Sequence, residues 1–339
     1  MQKIDIFNHI FPESFHKLMM KVAGDHKDIG KRVRGVPMLA DLDERFRVMD
    51  QFGEDYRQVL SLASPALEVL GGPNVAIELA KAANDGMAEL VQKHPDRFPS
   101  FVASLPMNAP EAALNETQRA ITKLGACGIQ MFTNVLGKPL SSQEFRPLFG
   151  AMAEYDLPIW VHPARGAQFP DYLSETKSEY EIWWTFGWPY ETSAMMARLV
   201  FEGLFDEYPA LKIVTHHMGG MVPYFEGRVG PGWDQLGSRT SDEDLGKVLQ
   251  RLKKRPIDYF HMFNADTAVF GSRAATICGL DFFGVDKVLF ASDAPFDPEK
   301  GPMYIRETIK IIDELDISEV DRDKIYRANA VELLKLSED

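Results

Sequence analysis

Short apolar runs bounded by turn-forming residues recur along the chain, and the segments between them carry helical periodicity rather than hairpin signals. Eight runs stand out: Lys3 to Phe7, Arg57 to Ala63, Pro99 to Leu105, Gly128 to Thr133, Pro158 to His162, Lys212 to His217, Asp258 to Phe263 and Lys287 to Ser292. Stretches as continuous as Ile-Trp-Val and Val-Leu-Phe-Ala-Ser suit strands covered on both faces, the mark of a parallel sheet. Eight alternations of strand and helix predict an α/β fold, a (β/α)8 TIM barrel with a small helical insertion after the first strand. A doubly wound open sheet is the competing architecture, but it accounts less simply for polar residues collecting at so many separate strand ends.

Two connections exceed what a bare barrel needs, and loops of that size are usually functional. The first runs from Phe11 to about Leu42, is charged and contains methionines, and is expected to form a helical excursion over the barrel mouth. The second runs from Pro163 to about Pro189 and carries Trp183, Trp184, Phe186 and Trp188. These rings are either a packed cap over the loop or a substrate wall, since aromatic side chains at a pocket mouth exclude water and offer a face to a planar ligand. Trp184 and Trp188 are the candidates for substrate binding.

With 339 residues, 45% of them hydrophobic, the chain can bury a large core, and residues 1–339 read as a single barrel domain. The 37 Lys and Arg against 50 Asp and Glu give a net charge of −13, which repels phosphate backbones and anionic membranes, so neither nucleic acid nor membrane is an expected partner. A small molecule is. The only cysteines, Cys127 and Cys278, suit a reducing compartment, so cytoplasm is expected. No apolar run reaches the roughly 20 residues of a membrane span, and Met1 to Pro12 lacks the features of a signal peptide.

A catalytic metal needs a few oxygen or nitrogen ligands converging from different strands, with one position left open. Four strand ends supply candidates: His9 just past the first run, His162 at the end of the fifth, His217 at the end of the sixth and Asp293 at the end of the eighth. Each histidine alone is readily explained as a hydrogen-bonded loop residue. Together they are harder to dismiss, because burying such groups costs several kcal/mol unless they are paired or bind a cation. Strand alternation sends the adjacent His216 and His217 to opposite faces, so only one should look inward. His16, His26 and His94 read as solvated, and His261 as a core residue of the seventh strand.

Several motifs carry a family resemblance along almost the whole chain: Ile-Asp-Ile-Phe-Asn-His-Ile-Phe-Pro at the start, Lys-His-Pro-Asp-Arg-Phe, Leu-Gly-Ala-Cys-Gly-Ile-Gln-Met-Phe-Thr-Asn, Val-His-Pro, Trp-Pro-Tyr-Glu-Thr, His-His-Met-Gly-Gly-Met-Val-Pro-Tyr-Phe-Glu-Gly-Arg, and Phe-Ala-Ser-Asp-Ala-Pro-Phe. The chain resembles the amidohydrolase-related group that includes aminocarboxymuconate-semialdehyde decarboxylase and the resorcylate-type decarboxylases. The resemblance implies His9, His162 and Asp293 as ligands of one divalent metal, zinc or manganese, with His217 as catalytic acid/base and Asp293 also in the catalytic set. It further implies Arg228 as a carboxylate anchor offered across a dimer interface, hence a homodimer or higher homo-oligomer.

One departure stands out. Members of that group usually carry His-x-His, or an acidic residue in place of the first His, on the first strand, whereas this chain has Phe7, Asn8 and His9. Phe7 cannot bind a metal, and Asn8 points away on an extended strand unless the strand is distorted. Three protein ligands still suffice for a catalytic site, with weakened affinity; a metal-free pocket working by hydrogen bonds is the alternative.

The resemblance favours non-oxidative decarboxylation of an aromatic or conjugated carboxylic acid. Hydrolysis or hydration of a ring-degradation intermediate by the same residues is the second reading, and an inert ligand-binding barrel the third. Smaller candidates are Asn264 for substrate binding, Asp266 for the pocket or a helix cap, and Glu191 as an anchor or a partner of a ligand histidine. Arg165 is a possible contact for an anionic substrate; Arg45 and Arg47 are expected to be solvent-exposed.

Overall fold

Eight parallel strands close into a ring in the computed structural model, which describes residues 1–22, 35–241 and 245–337. In chain order they are β1 (Lys3–Ile10), β2 (Tyr56–Leu62), β3 (Ala103–Ser104), β4 (Ile129–Phe132), β5 (Ile159–His162), β6 (Ile213–Thr215), β7 (Asn264–Asp266) and β8 (Val288–Leu289). Strands β3 to β8 form one continuous sheet and β1 pairs with β2. Phe101 bridges to Leu60 between β2 and β3. The ring closes where the Ile6 N–H donates to Phe290 O (3.0 Å) and the Asp293 N–H to Phe7 O (3.0 Å).

Residues alternate along each strand between two apolar environments. Trp160 on β5, Val214 on β6 and Leu289 on β8 join Ile4, Ile6 and Val59 in the barrel interior. Ile159, Val161 and Ile213, one step away in sequence, pack with the surrounding helices. Both faces are covered, which is why these strands read as continuous apolar runs. The interior is sealed below by side chains, so open space and polar groups collect at the C-terminal ends of the strands.

One strand lies elsewhere than the sequence pattern placed it. The run Asp258 to Phe263 is not the seventh strand: Pro256–Phe260 is a short helix, and the strand follows it. Pro256 occupies the first helical turn, where its fixed φ and missing N–H favour a helix start. His261, expected in the core, caps this helix and is exposed. A two-residue antiparallel hairpin, Asn134–Val135 with Lys138–Pro139, also follows β4 without a clear sequence signal.

The first long connection begins with the helix Glu13–Val22. This helix lies against the outer helix Pro73–Lys93 rather than spanning the mouth: Ser14 Oγ donates to Ala82 O (3.0 Å), and a side chain at Gly86 would meet Pro12 at 2.5 Å. Of the rest of the expected excursion, residues 23–34 lie outside the described residues, and Pro37–Leu39 forms a short 3-10 turn whose Leu39 O accepts from the Phe11 N–H (2.6 Å). The second connection leads through Ile182–Thr185 into the helix Gly187–Phe201.

Candidate active site

The site begins with an irregularity in β1. Between Asp5 and Asn8 its register against β2 shifts by one residue, a bulge that resets the side-chain alternation. Phe7 lies beneath a group of imidazoles, its ring centroid 4.0 Å from that of His216, 5.4 Å from His9 and 5.9 Å from His162. Asn8 is committed elsewhere: Nδ2 donates to Asp5 O and Val59 O (both 3.1 Å), and Oδ1 accepts from Arg45 Nη1 (3.0 Å). Neither is a ligand. His9 lies within β1, which runs on to Ile10, rather than past its end.

Four residues converge above Phe7. His9, His162, His216 and Asp293 are all buried, and one ligand atom from each lies within 4.8 Å of the others. Asp293 Oδ1 is 2.9 Å from His9 Nε2 and 3.2 Å from His216 Nε2, while Oδ2 is 3.5 Å from His217 Nε2.

The outer nitrogens settle where the protons go. His162 Nδ1 can only donate to Pro163 O (2.7 Å), because a carbonyl only accepts. Ser61 gives its own hydrogen to Asn8 O (2.5 Å), so its oxygen receives the His9 Nδ1 proton (3.5 Å). His216 Nδ1 meets Asp266 Oδ2 at 2.5 Å. In their neutral forms, His9 and His162 so arranged turn bare Nε2 lone pairs towards a carboxylate, acceptor against acceptor, while His216 stands between two carboxylates. A buried cation resolves that conflict, and three imidazole nitrogens with one carboxylate oxygen suit a borderline divalent ion.

The electrostatics follow from burial and neighbours. Burial, then His216 and His9, hold His162 well below the ordinary histidine range. Burial works against a charge on His216, yet the carboxylates of Asp266 and Asp293 outweigh it and push the group up to about 9. Burial would raise Asp293, but the imidazoles around it, His216 foremost, hold it well below the usual carboxylate range.

His216 and His217 do not divide between the two faces as strand alternation requires. The extended strand stops at Thr215, and the chain passes into a left-handed run of His217 (φ 54°), Met218 (54°), Gly219 (74°) and Gly220 (64°). The two rings therefore stay together, 3.8 Å apart, and both reach Asp293. Glycine is required at the end of this turn: a side chain at Gly220 would meet Pro189 O at 2.5 Å. Non-glycine residues in such conformations cost about 1–3 kcal/mol each and concentrate at functional sites.

His217 lines a cavity of about 430 Å³ with Trp184, Trp188, Met218, Tyr224 and Phe270, among others; among the described residues no lysine or arginine is in the lining. Its Nδ1 is buried and has no hydrogen-bond partner among the described residues. Burial, then His216, lowers its pKa. Trp188 stands 5.2 Å from the His162 ring, held by a hydrogen bond from Nε1 to Arg165 O (3.1 Å). Trp183 packs on Trp188, and Phe186 is exposed, so two of the four rings line the cavity.

The remaining candidates separate. Arg228 is exposed, over the Phe225 ring at 5.8 Å. Asn264 is buried inside β7 and is not in the cavity lining. Asp266 caps no helix, since Ser272 caps the next one; it holds His216. Glu191 pairs with Arg165 (3.4 Å) and Asn134 (3.3 Å) rather than with a ligand. Arg45, expected in solvent, is fully buried and donates to Asn8 Oδ1, Gln58 Oε1 and His9 O. His216 was not foreseen as a member of the cluster; the doubled histidine was the available signal.

Comparison with known proteins agrees with this fold. The amidohydrolase family profile matches residues 4–336. Gamma-resorcylate decarboxylase of Rhizobium sp. (strain MTP-10005) is 31% identical, covering 98% of each chain. The 2-amino-3-carboxymuconate-6-semialdehyde decarboxylase of Dictyostelium discoideum is 29% identical over 98% of this chain and 92% of its own. Among solved structures, dihydroxybenzoic acid decarboxylase from Polaromonas sp. JS666, with bound manganese and the inhibitor 2-nitroresorcinol, superposes with a TM-score of 0.76 at 28% identity, covering 98% of this chain and 97% of the other.

Proposed function

The chain belongs to the amidohydrolase family, and on that premise we propose that it is a metal-dependent, non-oxidative decarboxylase of an aromatic or conjugated carboxylic acid. The observation that carries the reading is the convergence of His9, His162, His216 and Asp293 beside His217 at the edge of an apolar cavity. Those four residues would hold one divalent ion, manganese or zinc. When bound, such an ion polarises a substrate oxygen and offsets carboxylate charge.

The chain's own groups account for the rest. Trp184, Trp188 and Phe270 offer flat apolar faces to a ring and exclude water from it. His217 serves as the acid/base. A lowered pKa makes its protonated form a ready proton donor, and its unpartnered Nδ1 leaves hydrogen-bonding capacity for substrate. The ring carbon takes a proton from His217, its bond to the carboxylate carbon breaks, carbon dioxide leaves, and solvent restores the proton.

Among the described residues no lysine or arginine lines the cavity, so a substrate carboxylate there has no cationic side-chain anchor from them. We assign that role to Arg228 of a second copy. Its surroundings support a homodimer or higher assembly, because Tyr224 and Phe225, four and three residues before it, are also exposed. We also read residues 1–339 as one catalytic domain working in the cytoplasm, consistent with two free cysteines. Among the described residues no helix is long and apolar enough to cross a membrane.

The test is carbon dioxide release from a panel of ring carboxylic acids, γ-resorcylate included, by manganese-loaded and by chelated protein. Metal-dependent release is expected. Turnover of lactones or hydratable ring-cleavage acids, with none of the ring carboxylates consumed, would move the protein to the hydrolase or hydratase reading.

A further inference from the structure

Asp266 at the end of β7 is fully buried and lies outside the four-residue donor set. Its Oδ1 accepts two backbone N–H groups, from His217 (3.0 Å) and Ala268 (3.1 Å). Its Oδ2 meets His216 Nδ1 at 2.5 Å. The other nitrogen of that ring, Nε2, faces Asp293 Oδ1 at 3.2 Å, and the Phe7 ring supports the imidazole at 4.0 Å. β1 supplies only one member of the set, His9, so the fourth ligand depends on how His216 is held.

We propose that Asp266 is the positioning residue that makes His216 a metal ligand. Its carboxylate accepts the Nδ1 proton and thereby keeps the Nε2 lone pair turned towards the cation. This rests on the reading that the cluster binds a divalent ion. The device works because the two carboxylate oxygens are not interchangeable. Two N–H donors pin Oδ1, leaving Oδ2 free to act on His216.

That asymmetry makes Asp266→Asn a sharp probe. The amide oxygen must stay on the His217 and Ala268 N–H groups, so the NH2 faces His216 Nδ1. That nitrogen must then accept, which moves the ring proton to Nε2, where it blocks ligation. Partners of ligand histidines typically change metal affinity by 10–100-fold, and Asp266→Asn is expected to weaken Zn(II) binding, measured by chelator competition, by about that factor. The double variant with His216→Ala should lose no more than His216→Ala alone.

Histidine ¹⁵N NMR supplies a readout that a merely structural role would not move. In the zinc-loaded native protein, His216 should carry its proton on Nδ1, and in Asp266→Asn the Nδ1 signal should become that of an unprotonated nitrogen. Unchanged zinc affinity in a folded Asp266→Asn protein would overturn the proposal, as would a proton on His216 Nε2 in the zinc-loaded native protein. The native spectrum decides the matter even if the variant does not fold. A native protein that binds no Zn(II) would instead overturn the metal-site reading on which the proposal stands.

Discussion

Two buried polar clusters meet on β1 a few residues apart, and they handle their lone pairs in opposite ways. Asp5 accepts four hydrogen bonds, from Tyr56 Oη (2.7 Å), Ser292 Oγ (2.5 Å), Ser292 N (3.1 Å) and Phe7 N (3.3 Å). Arg45 supplies donors to Asn8, Gln58 and His9 O beside it. In this network each of those acceptors meets a donor. Four residues along, His9, His162 and His216 direct their outer nitrogens to Ser61, Pro163 and Asp266, and their inner nitrogens gather around Asp293. Burial alone does not separate the two, since both are nearly inaccessible. What separates them is that one supplies a protein donor to each of the acceptors named, while the other needs a cation or a proton from outside the protein.

Substitutions should divide along the same line. The largest effect is expected at the open cluster: Asp293→Ala or His162→Ala should empty the metal site and reduce turnover by more than about 1000-fold, read by elemental analysis and carbon dioxide release. His217→Ala should cost about 10²–10⁴-fold in kcat with metal content unchanged, separating proton delivery from metal binding. Loss of metal in that variant would erase the distinction.

The closed network should respond in stability instead. Arg45→Ala leaves buried acceptors without their donor and should cost about 3–5 kcal/mol in chemical denaturation, while the folded fraction still binds its ion. Asp5 gives the pH counterpart. Burial, offset in part by its hydrogen bonds, raises it from 3.8 to about 6. The folded protein therefore holds a proton that the unfolded chain releases, so this contribution is fully present below the unfolded value and is lost as pH rises through about 6. At 1.36 kcal/mol per unit the loss approaches about 3 kcal/mol. Measured relative to Asp5→Asn in the metal-free protein, the native denaturation midpoint should fall accordingly from pH 4 to 7. The smallest effect is expected at the cavity wall, where Trp184→Ala should raise KM roughly tenfold or less with little change in kcat.

Much of this was legible in the sequence because the physics involved is local and periodic. Continuous apolar runs mark strands buried on both faces, and seven of the eight were placed. The polar residues His9, His162, His217 and Asp293 stood out against those runs. The seventh strand was misplaced because an apolar stretch of that length fits a buried helix equally well, and Pro256 settled the matter through backbone geometry. His216 was passed over because alternation was extended past Thr215, where the chain turns left-handed. Arg45 was assigned to solvent because helical spacing does not reveal which buried acceptors await it. These features depend on contacts between distant segments, which no single window of sequence contains.

The most direct measurement is the ligand shell of the bound ion. X-ray absorption of the manganese-loaded protein, with metal quantified per chain, should give one ion coordinated by three imidazole nitrogens and a carboxylate oxygen, with one imidazole lost in His216→Ala. A chain that holds no ion after loading, yet still releases carbon dioxide from a ring carboxylic acid in chelator, would contradict the account.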